Sequence, residues 1–163
     1  MASHLKNLSN TSIKTNEAYG KFKIALVVAE WNSEITFALR DGAIAFLTEM
    51  GVKDKNILIS YVPGAYELAL GAQWLANNKK FDAVITLGCV IKGDTPHFDF
   101  ISDACAHGIM QVGLQSNKPV VFGVLTTDNL KQAQERCGGK HGNKGIEAAE
   151  TALKMVALQQ ELS

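Results

Sequence analysis

Short apolar runs alternate with amphipathic segments along the chain from residue 22 onwards. Four of these runs are rich in Val, Ile and Leu and contain few polar residues: 22–29, 57–62, 83–91 and 120–125. Continuous apolar character of this kind is typical of strands that are buried on both faces of a parallel sheet. The sequence therefore predicts four buried, parallel β-strands.

The segments between these runs carry apolar residues at helical spacing. The first apolar stripe extends from Ile35 to Met50, and Gly51 follows it as a stop signal. Further helices are predicted over 65–78, 99–115, 128–136 and 144–160. Right-handed crossovers between parallel strands place helices on both faces of a sheet. We therefore predict an α/β protein with one three-layer α/β/α domain over 21–163, preceded by a polar arm over 1–20.

The composition is that of an ordinary globular protein of 163 residues, with 47% apolar and 20% charged residues. Sixteen basic residues balance sixteen acidic ones, which argues against nucleic acid or an anionic membrane surface as partner. The longest uncharged apolar stretch, near 83–91, is too short to span a bilayer, and the arm lacks an apolar signal core. Cys89, Cys105 and Cys137 have neither metal-ligand nor redox-motif spacing. We therefore expect a cytoplasmic protein.

The loops after the predicted strands are the places to look for chemistry, because ligands bind beyond the carboxyl ends of parallel strands. His97 follows the third run in KGDTPHFDF, and an imidazole with a pKa near ~6.5 can exchange protons at neutral pH. A surface histidine without a function fits the same pattern. Asp99, Asp103 and His107 share one helical face, but they match no recognised zinc pattern. We expect no metal site there, and Asp103 with His107 is equally explained as a solvated ion pair.

Other residues at these loops have two interpretations that the pattern leaves open. Trp31, Tyr66 and Phe122 could form walls around a planar ligand or pack in the core. Glu67 could bind hydroxyl or amide groups, or stabilise the first turn of a helix.

The glycine-rich segment GGKHGNKG, between the last two predicted helices, fails the spacing of a nucleotide-binding phosphate loop. Arg136 and Lys144 flank it and together suit an anion such as phosphate, although each alone is equally an ordinary helix-end cation. Nine residues of predicted helix, about 13 Å at ~1.5 Å per residue, separate Thr127 from Arg136. A site that uses both His97 and Arg136 is therefore built most easily across a subunit interface.

The chain resembles the 6,7-dimethyl-8-ribityllumazine synthase family in VVAEWN, YVPGAYEL, FDAVITLGCVIKGDTPHFDF, PVVFGVLTTDN and QAQERCGGKHGNKG. These stretches cover nearly everything from Phe22 to the C-terminal helix. The resemblance implies a four-stranded parallel sheet of flavodoxin-like topology and a transferase of riboflavin biosynthesis. Such an enzyme condenses 5-amino-6-(D-ribitylamino)uracil with 3,4-dihydroxy-2-butanone 4-phosphate to give 6,7-dimethyl-8-ribityllumazine, phosphate and water, without a cofactor or metal.

The resemblance also implies roles for individual residues. His97 matches the residue that transfers protons. The residues that match positions around the ribitylaminouracil are Trp31, Ala65, Tyr66, Glu67, Cys89, Val90, Ile91, Phe122 and Lys144. Those that match positions around the butanone phosphate are Asp94, Thr95 and Arg136. Phe122, Arg136 and Lys144 match residues that a neighbouring subunit supplies.

Three positions depart from the residues that are commoner in this family: Asp94 for a small residue, Lys92 for arginine and Trp31 for phenylalanine. A carboxylate at Asp94 would repel phosphate unless it pointed away. The family forms pentamers, some of which assemble twelve at a time into icosahedral shells. Because GGKHGNKG lacks the extra residues of pentamer-only members, we predict a 60-mer. Riboflavin synthase is a candidate partner by the same resemblance.

Two other classes of function compete with this interpretation. One is a non-catalytic relative that serves as a flavin-binding shell, against which the retained His97, Glu67, Arg136 and Lys144 argue. The other is a flavodoxin-like binding module, which would need a phosphate loop directly after the first strand. The sequence AEWNSE at that place is not such a loop.

Overall fold

The apolar runs form a single parallel sheet. The structure is a computed structural model that describes residues 7–163, so the first six residues of the predicted arm lie outside it. The four strands are β1 (Ile24–Ala29), β2 (Ile57–Val62), β3 (Ala83–Ile91) and β4 (Val120–Thr127). They pair in the order β2-β1-β3-β4, and every pairing is parallel. The predicted α/β class with flavodoxin-like topology is confirmed.

Helices cover both faces of this sheet. They are α1 (Ser33–Glu49), α2 (Leu68–Ala76), α3 (His97–Ser116), α4 (Leu130–Gln134) and α5 (Lys144–Glu161). Two short 3-10 helices, Glu17–Lys21 and Asp54–Asn56, precede β1 and β2. A small antiparallel hairpin of β5 (Cys137–Gly139) and β6 (Gly142–Asn143) joins α4 to α5.

Successive side chains of β1 point alternately into two separate cores, one on each face of the sheet. This explains the lack of polar residues in the strand. Ile24, Leu26 and Val28 point into the core beneath α1 and α5. Ala25 and Val27 point into the core beneath α2 and α3 on the opposite face. Because both faces are buried, no position in the strand tolerates an exposed charge.

The prediction that all four strands are buried on both faces is wrong at both edges of the sheet. In the edge strand β4, Phe122 is exposed, and the departure is larger in β2. This strand is an edge strand with β1 as its neighbour, and Leu58, Ile59 and Tyr61 are exposed. Apolar character alone does not separate a central strand from an edge strand, since both can be rich in Ile, Leu and Tyr. The exposed apolar side chains make this edge a surface suited to further contact.

The predicted helix over 128–136 is also wrong, because α4 has only five residues. The chain leaves α4 at Glu135, and Gly138 takes a φ of 132° that a residue with a side chain rarely adopts. The glycine-rich segment then folds back as the hairpin, with the His141 N–H donating to the Glu135 carbonyl at 2.8 Å. The 13 Å estimate between Thr127 and Arg136 therefore rested on a helix that is too long.

Two other boundaries differ from the prediction. Helix α3 begins at His97, so this histidine is the first residue of a helix and not part of the preceding loop. Helix α2 begins at Leu68 because 63–67 form the turns that lead into it. None of the helices within residues 7–163 is both long and apolar enough to cross a membrane.

Candidate active site

A cavity of about 360 Å³ opens at the carboxyl edge of the sheet, between the ends of β1 and β3. Helix α1 leaves β1 towards one face and α3 leaves β3 towards the other, so this is the switch point of the sheet. Crossovers that diverge in this way leave a crevice beyond the strand ends. The fold itself therefore creates the cavity.

Strand β3 extends beyond its pairing with β1, and this exposes part of its backbone edge to the cavity. The pairing of β1 with β3 ends at Val28 and Leu87, whereas the pairing of β3 with β4 continues to Ile91 and Thr127. The edge of β3 that faces β1 therefore has no strand partner beyond Leu87. Backbone amide and carbonyl groups in such a position can bind the edge of a planar ring.

Nine of the residues that the resemblance singles out line this cavity. Four come from the end of β1 and the turn before α2: Trp31, Ala65, Tyr66 and Glu67. Three come from the end of β3: Cys89, Val90 and Ile91. Two come from the segment that enters α3: Thr95 and His97.

The two aromatic residues at the cavity are not core residues. Trp31 is 73% exposed and Tyr66 is 60% exposed. Exposed aromatic side chains of this size are available to stack on a planar ligand. This removes the core-packing interpretation for both.

Glu67 occupies the N-cap position of α2, but its side chain makes no capping hydrogen bond to that helix. The carboxylate is exposed and lines the cavity. Its placement favours the ligand-binding interpretation over a purely helix-stabilising one.

The thiol of Cys89 is buried and poorly suited to act as a nucleophile. Burial, and to a lesser degree the nearby Cys137, raises the pKa of Cys89 to about 12. Burial also raises the pKa of Cys105 to about 11. Because the thiolate is the reactive form, Cys89 contributes shape and backbone groups and not covalent chemistry.

Asn32 is a cavity residue that the sequence analysis did not single out. Its backbone has a φ of 59°, in the left-handed region where asparagine is enriched, and its Nδ2 donates to the Cys89 carbonyl at 2.9 Å. The bond ties the turn after β1 to the unpaired end of β3. An asparagine directly after a strand and before a helix was the available signal. Gly64 and Gly93, in the segments after β2 and β3, and Phe98 and Ile101 of α3 also line the cavity.

Four of the residues that the resemblance singles out do not line the cavity. Asp94 is exposed in the loop after β3. Phe122 lies on β4 and lines a second groove, beside Asp99 and Phe100 of α3. Arg136 and Lys144 stand at the two ends of the β5–β6 hairpin.

Among the described residues, no lysine or arginine lines the cavity. Arg136 is half-buried, and its Nη1 donates to the carbonyl of Gln132 in α4 at 2.9 Å. Lys144 begins α5, and its Nζ pairs with Glu147 at 2.8 Å. Within residues 7–163, the cavity of one chain therefore has an exposed imidazole and aromatic walls, but no lysine or arginine lines it that could hold a phosphate.

The histidines and aspartates of α3 are not grouped as a candidate metal site in the part of the chain that the structure describes. Within residues 7–163, no three His, Cys, Asp or Glu side chains are grouped so that they could hold a metal ion. The His107 ring Nδ1 lies 3.1 Å from an Asp103 carboxylate oxygen, and both side chains are exposed. This contact is the solvated pair that the spacing allowed.

Together, these features define an α/β protein with a candidate ligand site at its sheet switch point, whose exposed aromatic walls suit a planar ring. The profile of the 6,7-dimethyl-8-ribityllumazine synthase family matches residues 21–160. The chain belongs to this family.

Three relatives illustrate how far this similarity extends, and each is named 6,7-dimethyl-8-ribityllumazine synthase. The protein of Cytophaga hutchinsonii is 57% identical over 157 residues, which cover 96% of this chain and 98% of the relative. That of Porphyromonas gingivalis is 48% identical over 160 residues, 98% of this chain and 99% of the relative. The protein of Parabacteroides distasonis is 47% identical over 156 residues, which cover 96% of this chain and 98% of the relative.

The burial of the thiols leads to a test of the site's chemistry. Near pH ~8, iodoacetamide should modify Cys137 before Cys89 and Cys105, because alkylation needs an accessible thiolate. Peptide mass spectrometry of the folded protein would give the order, with the urea-unfolded chain as the control in which all three react. Rapid labelling of Cys89 in the folded protein would contradict the description of this site.

Proposed function

We propose that this chain catalyses the condensation of 5-amino-6-(D-ribitylamino)uracil with 3,4-dihydroxy-2-butanone 4-phosphate. The products are 6,7-dimethyl-8-ribityllumazine, phosphate and water. The observation that carries the proposal is the convergence of Trp31, Glu67 and His97 on one cavity at the sheet switch point. Relatives named for this synthase match the chain over nearly its whole length.

The cavity suits the ribitylaminouracil. The indole of Trp31 can stack on the pyrimidine, whose polar edge can meet the backbone of β3 beyond its pairing with β1, near Cys89 and Ile91. The carboxylate of Glu67 can accept hydrogen bonds from ribityl hydroxyls. Ala65, Tyr66 and Val90 complete the wall around this substrate.

The reaction needs proton transfer but no nucleophile from the protein, because the amine of the pyrimidine attacks the ketone of the butanone phosphate. His97 is exposed on the cavity and can move protons as the imine forms and water leaves. Loss of the C3 proton and of phosphate from C4 leaves an enol that tautomerises to a new carbonyl at C3. The ribityl-bearing nitrogen attacks this carbonyl, and loss of water completes the new ring. Much of the acceleration comes from holding the two substrates together in a reactive orientation.

The departing phosphate needs a cation that one chain's cavity does not hold. We propose that Arg136 and Lys144 of a neighbouring copy supply it, together with the ring of Phe122. No lysine or arginine among the described residues lines the cavity, and this observation supports the proposal. Helix length no longer supports it, because α4 is shorter than the sequence predicted. Thr95 borders the cavity at the phosphate end, and Asp94, exposed beside it, can turn its carboxylate to solvent.

The non-catalytic flavin-binding shell is not favoured. Such a protein would need the stacking surface of Trp31 but neither a proton-transfer group nor a phosphate-binding cation. His97 remains at the cavity, and Arg136 remains on the hairpin.

The location and partners belong to the same proposal. An odd number of cysteines without redox spacing favours a reducing compartment, and we place the enzyme in the cytoplasm on that ground. Riboflavin synthase, which would use the product, is the candidate protein partner.

Activity measurements with two histidine variants test the reaction. His97→Ala should lower kcat by roughly tenfold to a hundredfold, because it removes the proton-transfer group but leaves substrate orientation intact. His107→Ala, on the outer surface of α3, is the matched control and should keep its rate. Phosphate release and lumazine fluorescence report the turnover. Equal rates for both variants would contradict the role of His97 in the mechanism. Phosphate release no faster than the uncatalysed rate in the unmutated protein would contradict the proposed enzymatic activity.

The assembly has its own test. A shell of sixty copies of the 17.6 kDa chain would weigh about one megadalton, whereas a pentamer would weigh about 88 kDa. We expect light scattering to give the larger mass, because the turn between α4 and α5 is compact. A stable species near the smaller mass would contradict the shell but leave the shared site possible.

A further inference from the structure

Arg136 and Lys144 are held in one fixed relation by the β5–β6 hairpin. The Lys144 N–H donates to the Arg136 carbonyl at 2.9 Å, so the two cations flank the same backbone bond at the base of the hairpin. The hairpin pairs only a few residues, and a two-stranded hairpin of this size is marginally stable alone. Its position must therefore be set by what packs against its two edges.

Asn143 makes the hydrogen bonds that tie the inner side of the hairpin to the body, where Cys137 also packs against the core beneath α1 and α5. The Asn143 Nδ2 donates to the Ala38 carbonyl of α1 at 2.9 Å and to the Cys137 carbonyl at 3.2 Å. Its Oδ1 accepts from the Gly145 N–H at 2.7 Å, which caps α5. These bonds fix β6 against α1 but leave its outer edge to find other partners.

Residues of the N-terminal arm provide those partners. The Leu8 N–H donates to the His141 carbonyl at 2.7 Å, and the Asn143 N–H donates to the Ser9 hydroxyl at 3.0 Å. Asn143 is only 7% exposed, so this N–H would have little access to water if the hydroxyl were lost. The arm lies directly on Gly142, where an added Cβ would stand 2.6 Å from the Ser9 nitrogen.

A second contact anchors the arm on α5, the helix that begins at Lys144. The Ser12 N–H and hydroxyl donate to one carboxylate oxygen of Glu150, at 2.8 Å and 2.9 Å. Lys154 pairs with the same carboxylate at 2.8 Å. Burial raises the pKa of Glu150, but the bonds from Lys154 and Ser12 lower it by more, so the group stays ionised. The arm thus bridges the hairpin and the helix that carry the two cations.

We infer that Ser9 and Ser12 are positioning residues for Arg136 and Lys144, and that the arm thereby sets the affinity for the phosphate-bearing substrate. Neither serine lines the cavity, and each acts through the hairpin or α5. The inference rests on the proposed phosphate-binding role of Arg136. It assigns to the polar arm a contribution to one substrate's binding, not to the chemical step.

The test is a comparison of variants of the full-length protein within the arm. Ser9→Ala should raise KM for the butanone phosphate by roughly threefold to tenfold, because it leaves the Asn143 N–H without its acceptor and frees the hairpin. The KM for the ribitylaminouracil and kcat should stay unchanged. The inhibition constant of inorganic phosphate should rise by the same factor as KM for the butanone phosphate.

Three further variants make the comparison specific. Ser9→Thr keeps the hydroxyl and should restore the KM of the unmutated enzyme. Asn10→Ala is the matched control, since this exposed neighbour does not contact the hairpin through its side chain, and its kinetics should not change. Ser12→Ala, which loosens the arm at α5, should shift the same KM in the same direction.

The outcomes separate this inference from the proposed function. If Arg136→Ala leaves KM for the butanone phosphate unchanged, the proposed role of Arg136 fails and the inference falls with it. If Arg136→Ala raises that KM and Ser9→Ala does not, the inference alone is overturned. A fall in kcat with equal changes in both KM values would show general destabilisation and would also overturn it.

Discussion

The extension of β3 beyond its pairing with β1 is the constraint on which the site depends. Pairing with β1 ends at Leu87, while β4 holds the strand straight as far as Ile91. The crossovers diverge at this point, so neither α1 nor α3 covers the exposed edge. Asn32 fixes the open end through the Cys89 carbonyl, and the aromatic walls and His97 are placed around it.

The same geometry leaves the site incomplete. All cavity residues come from the end of β3 and from the segments after β1, β2 and β3, whereas Arg136 and Lys144 stand at the two ends of the hairpin that follows β4 and α4. This arrangement is the reason for proposing that a second copy brings the cation to the phosphate. The exposed edge of β2, with Leu58, Ile59 and Tyr61, is a surface on which such copies could meet.

Much of the fold follows from the sequence because burial on both faces of a sheet leaves a direct mark on composition. Apolar composition does not distinguish the edge strand β2 from a central strand, because the apolar side chains of β2 are exposed in one chain. The predicted helix at α4 is too long because the helical spacing in the sequence continues to Arg136. In the structure, the end of α4 is set by Gly138 and the pairing of the hairpin. Asn32 and the arm contacts were missed because they depend on three-dimensional proximity between residues 57 and 134 positions apart.

The central claim is that His97 and Arg136 act in one site from two different copies, and mixing two variants tests it most directly. His97→Ala and Arg136→Ala are each expected to be impaired at low butanone phosphate. When the two are dissociated, mixed equally and reassembled, random pairing should return one intact site in about four, and about a quarter of the unmutated activity. A mixture no more active than the average of the two variants would contradict a site shared between neighbours.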